Sequence, residues 1–446
     1  MTNPMFGKCF AAVAALTACA TLSAADAPEV SKVTMSQDNT RLVTINYTLA
    51  NAPAIVTVDI QTNCNAGGVE TWATIGGQYI QGLQGDVGRK ITTDGEHTIA
   101  WRPDLSWNGH KVTNKGARAV VKAWSLDNPP DYMVVDLAEN SANRLFFYPD
   151  ASYLPGGVPE NDVYRTSMMV FRKIRARGIP WTMGPVTVSG NKKYYNVTLD
   201  SDYYIGIYEI TQGQAAMVGG TVNASSFKVE GVRRPIETSS FREVRNSSGN
   251  SSDETLYPQP PATGSLIGRF RSRVESLVDF DLPSEAQWEY ACRAGHGEGY
   301  WGNGKTMNGN NTDNNLPGRY AWNTRNPGST IDDAAPADDD TNIVGSYESN
   351  SWGIYDMHGN VNEMCLDWWA ADPDAAAPGG AYTGIVNANG TKYANGTEAP
   401  NKWFVLRSGG YNSSAPGCKS ESRNYDGTTG HTKHVGVRLA CPAVVK

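Results

Sequence analysis

Apolar and polar residues alternate along several short stretches in the first third of the chain. LVTINYTLA (residues 42–50) places an apolar side chain at every second position, and VTVDI (56–60) repeats the pattern after the turn sequence NAPA. A period of two predicts strands with one buried face. Because EHTIAW (96–101) and ARAVVKAWSL (117–126) indicate further strands, residues 28–130 are predicted to form a small all-β sandwich of the immunoglobulin or fibronectin type.

Helical patterns appear only later in the chain, between long loops rich in Asn, Asp and Gly. LIGRFRSRVESLV (266–278) places its apolar residues on one face of a helix. Thr211 and Gln214, and again Ser284 and Gln287, have the spacing of a capping box at a helix start. Each of these helices needs a partner for its apolar face.

A boundary separates these two parts of the sequence. DNPPDY ends the strand-rich part, and the Pro-, Gly- and Asp-rich sequence YPDASYLPGGVPENDVY (148–164) indicates an extended connector. Residues 131–166 are therefore predicted to form a linker. Residues 167–446 are predicted to form a second domain of the α+β class, irregular and loop-rich.

The composition favours folded, loop-rich domains and excludes some partners. The 446 residues include 46 Gly and 24 Pro, which is more consistent with two domains than with one large core. A formal net charge of -7 leaves no basic stripe for phosphates. Nucleic acid is therefore not expected as a partner.

The N-terminus has the layout of an export signal. Lys8 precedes the apolar run CFAAVAALTACATL, and small residues follow, so residues 1–25 are predicted to be a signal peptide. Alternatively, the sequence LTAC ending at Cys19 resembles a lipoprotein cleavage box, which would make Cys19 a lipid anchor. No later segment is apolar for long enough to form a transmembrane helix. We expect a secreted, periplasmic or cell-envelope protein, or alternatively a lipid-anchored lipoprotein.

Export changes the interpretation of the cysteines that remain after a signal peptide is removed. These are Cys64, Cys292, Cys365, Cys418 and Cys441, in a compartment that permits disulfides. At least one disulfide is expected among the last four, with Cys64 unpaired and the pairing left open. No CxxC motif and no zinc-like Cys/His spacing occurs.

The order of six sequence blocks in the second domain resembles a known family. The blocks are YYIGIYEITQGQ (203–214), RPIETSSFREVR (234–245), FDLPSEAQWEYACRAG (280–295), GIYDMHGNVNEM (353–364), RSGGY (407–411) and VGVRLAC (435–441). Together they resemble the formylglycine-generating enzyme family, also called sulfatase-modifying factor domains, over about residues 167–443. The resemblance implies a variant of the C-type-lectin fold.

The resemblance also implies a calcium site in the block GIYDMHGNVNEM. The matching ligands are the side chains of Asp356 and Glu363 and the backbone carbonyls of Gly359 and Val361. Calcium prefers hard oxygen ligands of this kind. Two carboxylates brought together by a His-Gly-Asn turn also repel one another unless a cation or protons intervene. The alternative is a structural turn in which Asp356 caps backbone amides.

The catalytic features of the family match less well. Family enzymes use a copper ion held by two cysteines after a Gly-Gly-Ser, whereas here Gly410 is followed by Tyr411, the first cysteine position falls near Ser414, and only Cys418 lies near the second. Cys418 is the candidate catalytic residue. Tyr411, Ser414 and Arg423 are the candidate residues of a ligand groove, with core packing (Tyr411) or a structural role (Arg423) as alternatives.

Three functions remain open at this stage. The incomplete thiolate pair favours a non-catalytic module, stabilised by calcium, that binds a peptide, protein or glycan. The first alternative is a copper-dependent formylglycine-generating oxidase that converts a cysteine of a target protein to formylglycine. The second alternative is a structural or surface-assembly protein. Fold alone cannot rank these, because activity belongs to sites.

Overall fold

The computed structural model describes twelve segments of the chain. They are residues 26–65, 68–110, 116–139, 144–158, 160–220, 225–245, 260–302, 305–307, 340–372, 381–382, 403–413 and 415–446. The predicted signal peptide, its Cys19 and the predicted groove residue Ser414 lie outside the described residues.

The N-terminal region, residues 29–124, is built from short antiparallel strands. Its elements are β1 (Glu29–Gln37), β2 (Val43–Ala50), β3 (Ala54–Asn63), β4 (Trp72–Thr74), β5 (Gln84–Gly85), β6 (Lys90–Ile91), β7 (Gly95–Trp101), α1 (Pro103–Ser106) and β8 (Ala117–Trp124). One sheet has the order β1-β2-β7-β5, and in the other β3 pairs with β4, β6 and β8. The strands predicted from alternation are therefore present.

The alternating residues of this region bury one face of each sheet. Along β2, every second side chain is buried, from Val43 to Leu49, while the others are partly or fully exposed. These side chains join those of β3 and β7, including Val56 and Ile99, in one hydrophobic cluster. The two sheets thus share a single apolar core.

The segment predicted to be an extended connector is largely folded. It contains β9 (Tyr132–Asp136), β10 (Leu145–Tyr148) and α2 (Val163–Thr166). β9 pairs with both β10 and β11 (Met168–Ile174). With β14 (Tyr203–Gly206) and β22 (Ala440–Pro442) they form a sheet of order β10-β9-β11-β14-β22. The apolar runs of these strands, YMVVD and LFFY, are only five and four residues long. In a Pro- and Gly-rich segment, runs this short did not predict strands. These strands therefore belong to the fold that follows them.

The C-terminal region, residues 132–446, combines several small sheets with short helices. Its further elements are β12 (Pro180–Val188), β13 (Asn191–Thr198), β14 (Tyr203–Gly206), α3 (Gln212–Met217), α4 (Phe241–Arg245), α5 (Leu266–Arg273), α6 (Glu285–Arg293), β15 (Tyr300–Gly302), β16 (Lys305–Met307), β17 (Asn362–Trp368), β18 (Ala381–Tyr382), β19 (Trp403–Arg407), β20 (Asn424–Gly427), β21 (Val435–Gly436) and β22 (Ala440–Pro442). One sheet has the order β20-β19-β17-β21, with β21 parallel to β17. The predicted α+β, loop-rich class is confirmed.

The helix starts were predictable from local sequence. Thr211 and Gln214 form a complete capping box on α3, and Ser284 and Gln287 form another on α6. In contrast, α5 ends at Arg273, short of the predicted Val278. The two residues after Val274 adopt positive φ angles of 53° and 57°, which a right-handed helix does not allow.

The interior of the C-terminal region has two large apolar clusters. One groups residues of β9, β11 and α5 with those of β19 and β22, and the other groups residues of β13 and α6 with β17. Trp288 of α6 is fully buried in the second cluster. Within the described residues, no helix is both long and apolar enough to cross a bilayer.

Candidate functional site

The block that the sequence singled out forms a tight turn, which we call the motif turn (residues 355–363). Asp356 and Asn360 adopt positive φ angles of 58° and 66°, a conformation that Asp and Asn tolerate better than most residues. Ser408, which follows β19, stabilises the turn: its hydroxyl oxygen accepts a hydrogen bond from the Gly359 N–H at 3.0 Å. The turn feeds directly into β17.

Glu363, the second residue of β17, forms an ion pair with a buried arginine. Arg438 donates to both Glu363 oxygens over distances of 2.6–3.0 Å. The indole N–H of Trp288 donates to Glu363 Oε2 at 2.7 Å. All three side chains are fully buried. Burial alone would lower the pKa of Arg438, but the charge and hydrogen bonds of Glu363 outweigh it and raise that pKa.

Two further buried carboxylates lie close to this pair and have fewer partners. Asp356 Oδ2 accepts the Gly345 N–H at 2.6 Å, and Glu209 Oε2 accepts the Asn360 side-chain N–H at 2.8 Å. Glu209 Oε1 has no hydrogen-bond partner among the described residues. Burial raises the pKa of Asp356 to about 6. Burial first, and the Asp356 charge second, raise the pKa of Glu209 well above its ordinary value.

The oxygens of the predicted calcium site differ in how far their hydrogen-bonding capacity is already used. The Glu363 oxygens are already bound by Arg438 and Trp288, whereas Glu209 offers an unsatisfied, buried oxygen beside Asn360 of the motif turn. No group of three or more His, Cys, Asp or Glu side chains in the described segments is arranged to hold a metal ion. Asp356 also caps the Gly345 amide, as the structural-turn alternative requires.

The predicted groove residue Arg423 belongs to a second buried ion-pair cluster. Its guanidinium donates to both oxygens of Glu285, at 2.9 Å to Oε2, and lies 4.7 Å from the ring centroid of Trp369. Arg407 donates to Glu285 at 3.1 Å and to Glu289 at 2.5 Å. Burial alone would raise the pKa of Glu285, but the charges of Arg423 and Arg407 hold that pKa below its ordinary value. The charge of Arg423 is therefore already paired.

A cavity lies beside residues 408–413, which we call the Gly409 loop; of the predicted groove residues, Arg423 belongs to its lining. Its volume is about 190 Å³, and it is lined by Asn362, Leu406, Gly409, Ser413, Gly417, Ser422, Arg423 and Asn424. Tyr411 is buried; its N–H donates to the Asn360 carbonyl at 2.7 Å, and its ring meets Phe227 edge-on at 5.4 Å. Tyr411 thus supports the loop from within, while Arg423 reaches the cavity wall.

The candidate catalytic cysteine is buried and protonated. Cys418 ends a 3-10 helix (Ala415–Cys418), and burial raises the pKa of its thiol to about 12. His358 Nδ1 donates to the Cys418 carbonyl at 2.8 Å, and His358 Nε2 lies 3.7 Å from the Sγ of Cys292. Burial also raises the pKa of Cys292 well above its ordinary value. A protonated thiol is a weak nucleophile and a weak metal ligand.

The structure contains no disulfide among the five cysteines that it describes, so the predicted disulfide is not confirmed. Cys292 and Cys365 pack in one hydrophobic cluster and Cys441 packs in the other. Each acts there as a small apolar residue. Cys64 is exposed.

The six blocks and their buried acids agree with a comparison against known families. The family described as "Sulfatase-modifying factor enzyme 1-like domain" matches residues 172–443, more than half of the chain. The chain belongs to this family. The predicted resemblance is therefore confirmed over nearly the predicted range.

Individual members of this and related groups match over different shares of their length. The chain is 32% identical over 242 residues to the Chaperone protein LppX of Paenibacillus barcinonensis, covering 48% of this chain and 82% of that protein. It is 37% identical over 94 residues to the formylglycine-generating enzyme of Thermomonospora curvata, covering 20% of this chain and 28% of that enzyme. Treponema denticola variable protein 1 matches with a TM-score of 0.42 and 24% identity, over 62% of this chain and 95% of that chain.

The sulfatase-modifying factor domain of this chain contains site residues that the sequence patterns did not single out. Glu209 and Arg438 both lie inside the six sequence blocks that resemble the family. Each is flanked by apolar residues, as in IYEI and GVRL. A charged residue in an apolar run is a signal, because a buried charge needs a partner. Which acid meets which arginine could not be found this way, since Glu363 and Arg438 are 75 positions apart.

Proposed function

We propose that this chain is a non-catalytic member of its family, which binds a polypeptide segment in the cavity beside the Gly409 loop. The observation that carries the proposal is the number of thiols at this loop: Cys418 is the one cysteine of residues 403–424, where family enzymes need two thiolates, and its thiol is buried. Copper(I) favours soft thiolate ligands. We therefore expect weak copper(I) binding and no oxidase reaction.

The chemistry of the cavity supports a polypeptide as the ligand. Amide and hydroxyl groups of Asn362, Ser413, Ser422 and Asn424 line it, together with two glycines. Such groups can exchange hydrogen bonds with a peptide backbone. The relative from Paenibacillus barcinonensis is named a chaperone protein, which also denotes polypeptide binding.

We propose calcium as the ion that stabilises this site, through Asp356 and the backbone carbonyls of Gly359 and Val361. Glu209 replaces Glu363 as the fourth oxygen ligand, because its Oε1 is buried without a partner in the described segments. Burial first, and the Asp356 charge second, raise the pKa of Glu209, and an ion there would offset the repulsion between the two carboxylates.

Three further parts of the proposal concern the rest of the chain. Residues 1–25 direct export to the cell envelope or beyond, with a lipid on Cys19 as the alternative outcome. The N-terminal region is an immunoglobulin- or fibronectin-type sandwich that spaces or docks the second domain, which is a C-type-lectin variant. N-terminal sequencing and mass measurement of the exported protein would distinguish a free N-terminus from a lipid-modified Cys19.

The oxidase test separates binding from catalysis. The reduced, copper-loaded protein is incubated in air with a cysteine-containing sulfatase-type peptide, and the peptide mass is followed. We expect no conversion to formylglycine. Conversion that is lost in Cys418→Ser but retained in Cys441→Ser, a buried cysteine of β22 outside the site, would establish the oxidase instead.

A binding test addresses the cavity directly. Reduced, carboxymethylated α-lactalbumin serves as a permanently unfolded polypeptide, and binding is measured by fluorescence anisotropy. Asn424→Trp, which places a large ring at the cavity wall, should weaken binding at least about tenfold. Asn191→Trp, at an exposed end of β13, should leave it unchanged. Equal binding by both variants would exclude the cavity as the site.

A further inference from the structure

A second cavity lies outside the site described above, where the N-terminal region meets β10. It has a volume of about 150 Å³ and is walled by residues of β3 and β5 on one side and of β10 on the other. A cavity of this size takes one six-membered ring. Binding sites for small molecules often occur at boundaries of this kind between structural units.

The cavity wall is aromatic on the C-terminal side and carries one charge. Phe146, Tyr148, Pro149, Tyr153 and Pro155 supply flat apolar surfaces. Arg89 is the one charged side chain in the lining that the structure describes, and no Asp or Glu belongs to it. The Arg89 guanidinium lies 5.0 Å from the ring centroid of Phe146. The electrostatics therefore favour an apolar body with a negative group.

The walls are held together by hydrogen bonds within the N-terminal region and between the two regions, so the cavity does not depend on a ligand to form. The Phe147 N–H donates to the Gly88 carbonyl, and the Gly88 N–H donates to the Val56 carbonyl, both at 2.7 Å. The Tyr153 hydroxyl donates to Asp59 at 2.9 Å. This last bond ties a lining residue of the C-terminal region to β3.

We propose that this cavity binds a small aryl carboxylate, with a single ring enclosed by the aromatic wall and the carboxylate paired with Arg89. Ring stacking and burial supply the affinity. The guanidinium supplies selectivity for the anion, because charge-assisted bonds are stronger than neutral ones. The site is separate from the Gly409 cavity and does not depend on the polypeptide-binding proposal.

The test compares two probes of the same shape on the full chain. Titration of 3-phenylpropionate and of its neutral amide, 3-phenylpropionamide, is followed by ligand-observed NMR. We expect saturable binding of the carboxylate, about tenfold tighter than that of the amide. Equal affinity for both probes would overturn the anionic assignment. No saturable binding of either would overturn the site.

Variants assign the binding to this cavity. Arg89→Gln should weaken carboxylate binding about tenfold and leave amide binding within about twofold. The matched control is Arg118→Gln, since Arg118 also stacks on an aromatic ring, Trp72 at 4.4 Å, but lies outside the cavity. Phe146→Leu should weaken both probes while preserving their ratio. An equal loss in Arg118→Gln and Arg89→Gln would contradict the proposal.

Discussion

The two regions of this protein differ in the polarity of their buried side chains. In the N-terminal region, the described side chains that are buried are apolar except for Thr57 and His97. In the C-terminal region, Arg245, Arg407 and Arg438 are fully buried. An apolar core tolerates any neighbour of suitable size, whereas a buried charge requires one particular partner. The fold of the C-terminal region therefore depends more strongly on particular residue pairs. Loss of one member of a pair should destabilise it more than a conservative change in the apolar core.

The largest effect is expected from breaking the pair between Glu363 and Arg438. Arg438→Met leaves Glu363 buried beside Asp356 and Glu209 without its cation, and should lower the free energy of unfolding by about 3–5 kcal/mol. Guanidinium chloride denaturation measures the loss. The double variant Arg438→Met/Glu363→Gln should recover part of it, since no unpaired charge then remains at position 363.

A conservative change in the apolar core provides the comparison. Ile45 of β2 is fully buried, and Ile45→Val should cost only about 1 kcal/mol. If Arg438→Met cost no more than Ile45→Val, the ion pair would not distinguish the two interiors. Arg102→Gln, which breaks an exposed pair with Asp104, should have no measurable effect.

The second largest effect concerns Glu285, which pairs with both Arg407 and Arg423. Glu285→Gln should cost about 2–3 kcal/mol at neutral pH, because two charge-assisted contacts become neutral ones. The pKa of Glu285 is held below its ordinary value, so its contribution is present above that value and is lost as the pH falls through the folded-state pKa. The difference between wild type and variant should therefore shrink in acid. A difference that stays constant from pH 7 to pH 3 would contradict this assignment.

The same contrast explains what the sequence could predict. Alternation in β2 and β3 is local, so the strands of the N-terminal region follow from a period of two. The capping boxes of α3 and α6 are local as well. The contacts of Glu363 and Arg423 join distant parts of the chain, so the sequence located these residues without predicting that arginine and carboxylate partners already occupy them. The strand β9 was missed because its pairing with β11 depends on tertiary contacts across a Pro- and Gly-rich segment.

Calcium removal should have an effect of about the same size as Glu285→Gln, confined to the C-terminal region. At a calcium concentration of 100 times the dissociation constant, the ion would stabilise the fold by about 2.7 kcal/mol. A chelator should therefore lower the melting temperature, and Asp356→Asn should remove that sensitivity together with the calcium counted by elemental analysis. Asp200→Ala, an exposed Asp before β14, is the control. Melting that is unchanged by chelator in the wild type would refute the calcium proposal.

The smallest effect is expected from removing a helix cap, which is a local feature of the C-terminal region. Ser284 caps α6: its hydroxyl oxygen accepts the Gln287 N–H at 3.1 Å, and the Gln287 side chain accepts the Ser284 N–H at 2.9 Å. Ser284→Ala should cost about 1 kcal/mol, since it leaves the half-buried Gln287 N–H without its acceptor. Ser36→Ala, on the exposed face of β1, should stay within about 0.5 kcal/mol of wild type.

Because α6 carries Glu285, Trp288 and Glu289, a loss of several kcal/mol in Ser284→Ala would mean that the cap also positions the ion-pair clusters. A loss near 1 kcal/mol would show that the long-range pairs hold the helix in place without it.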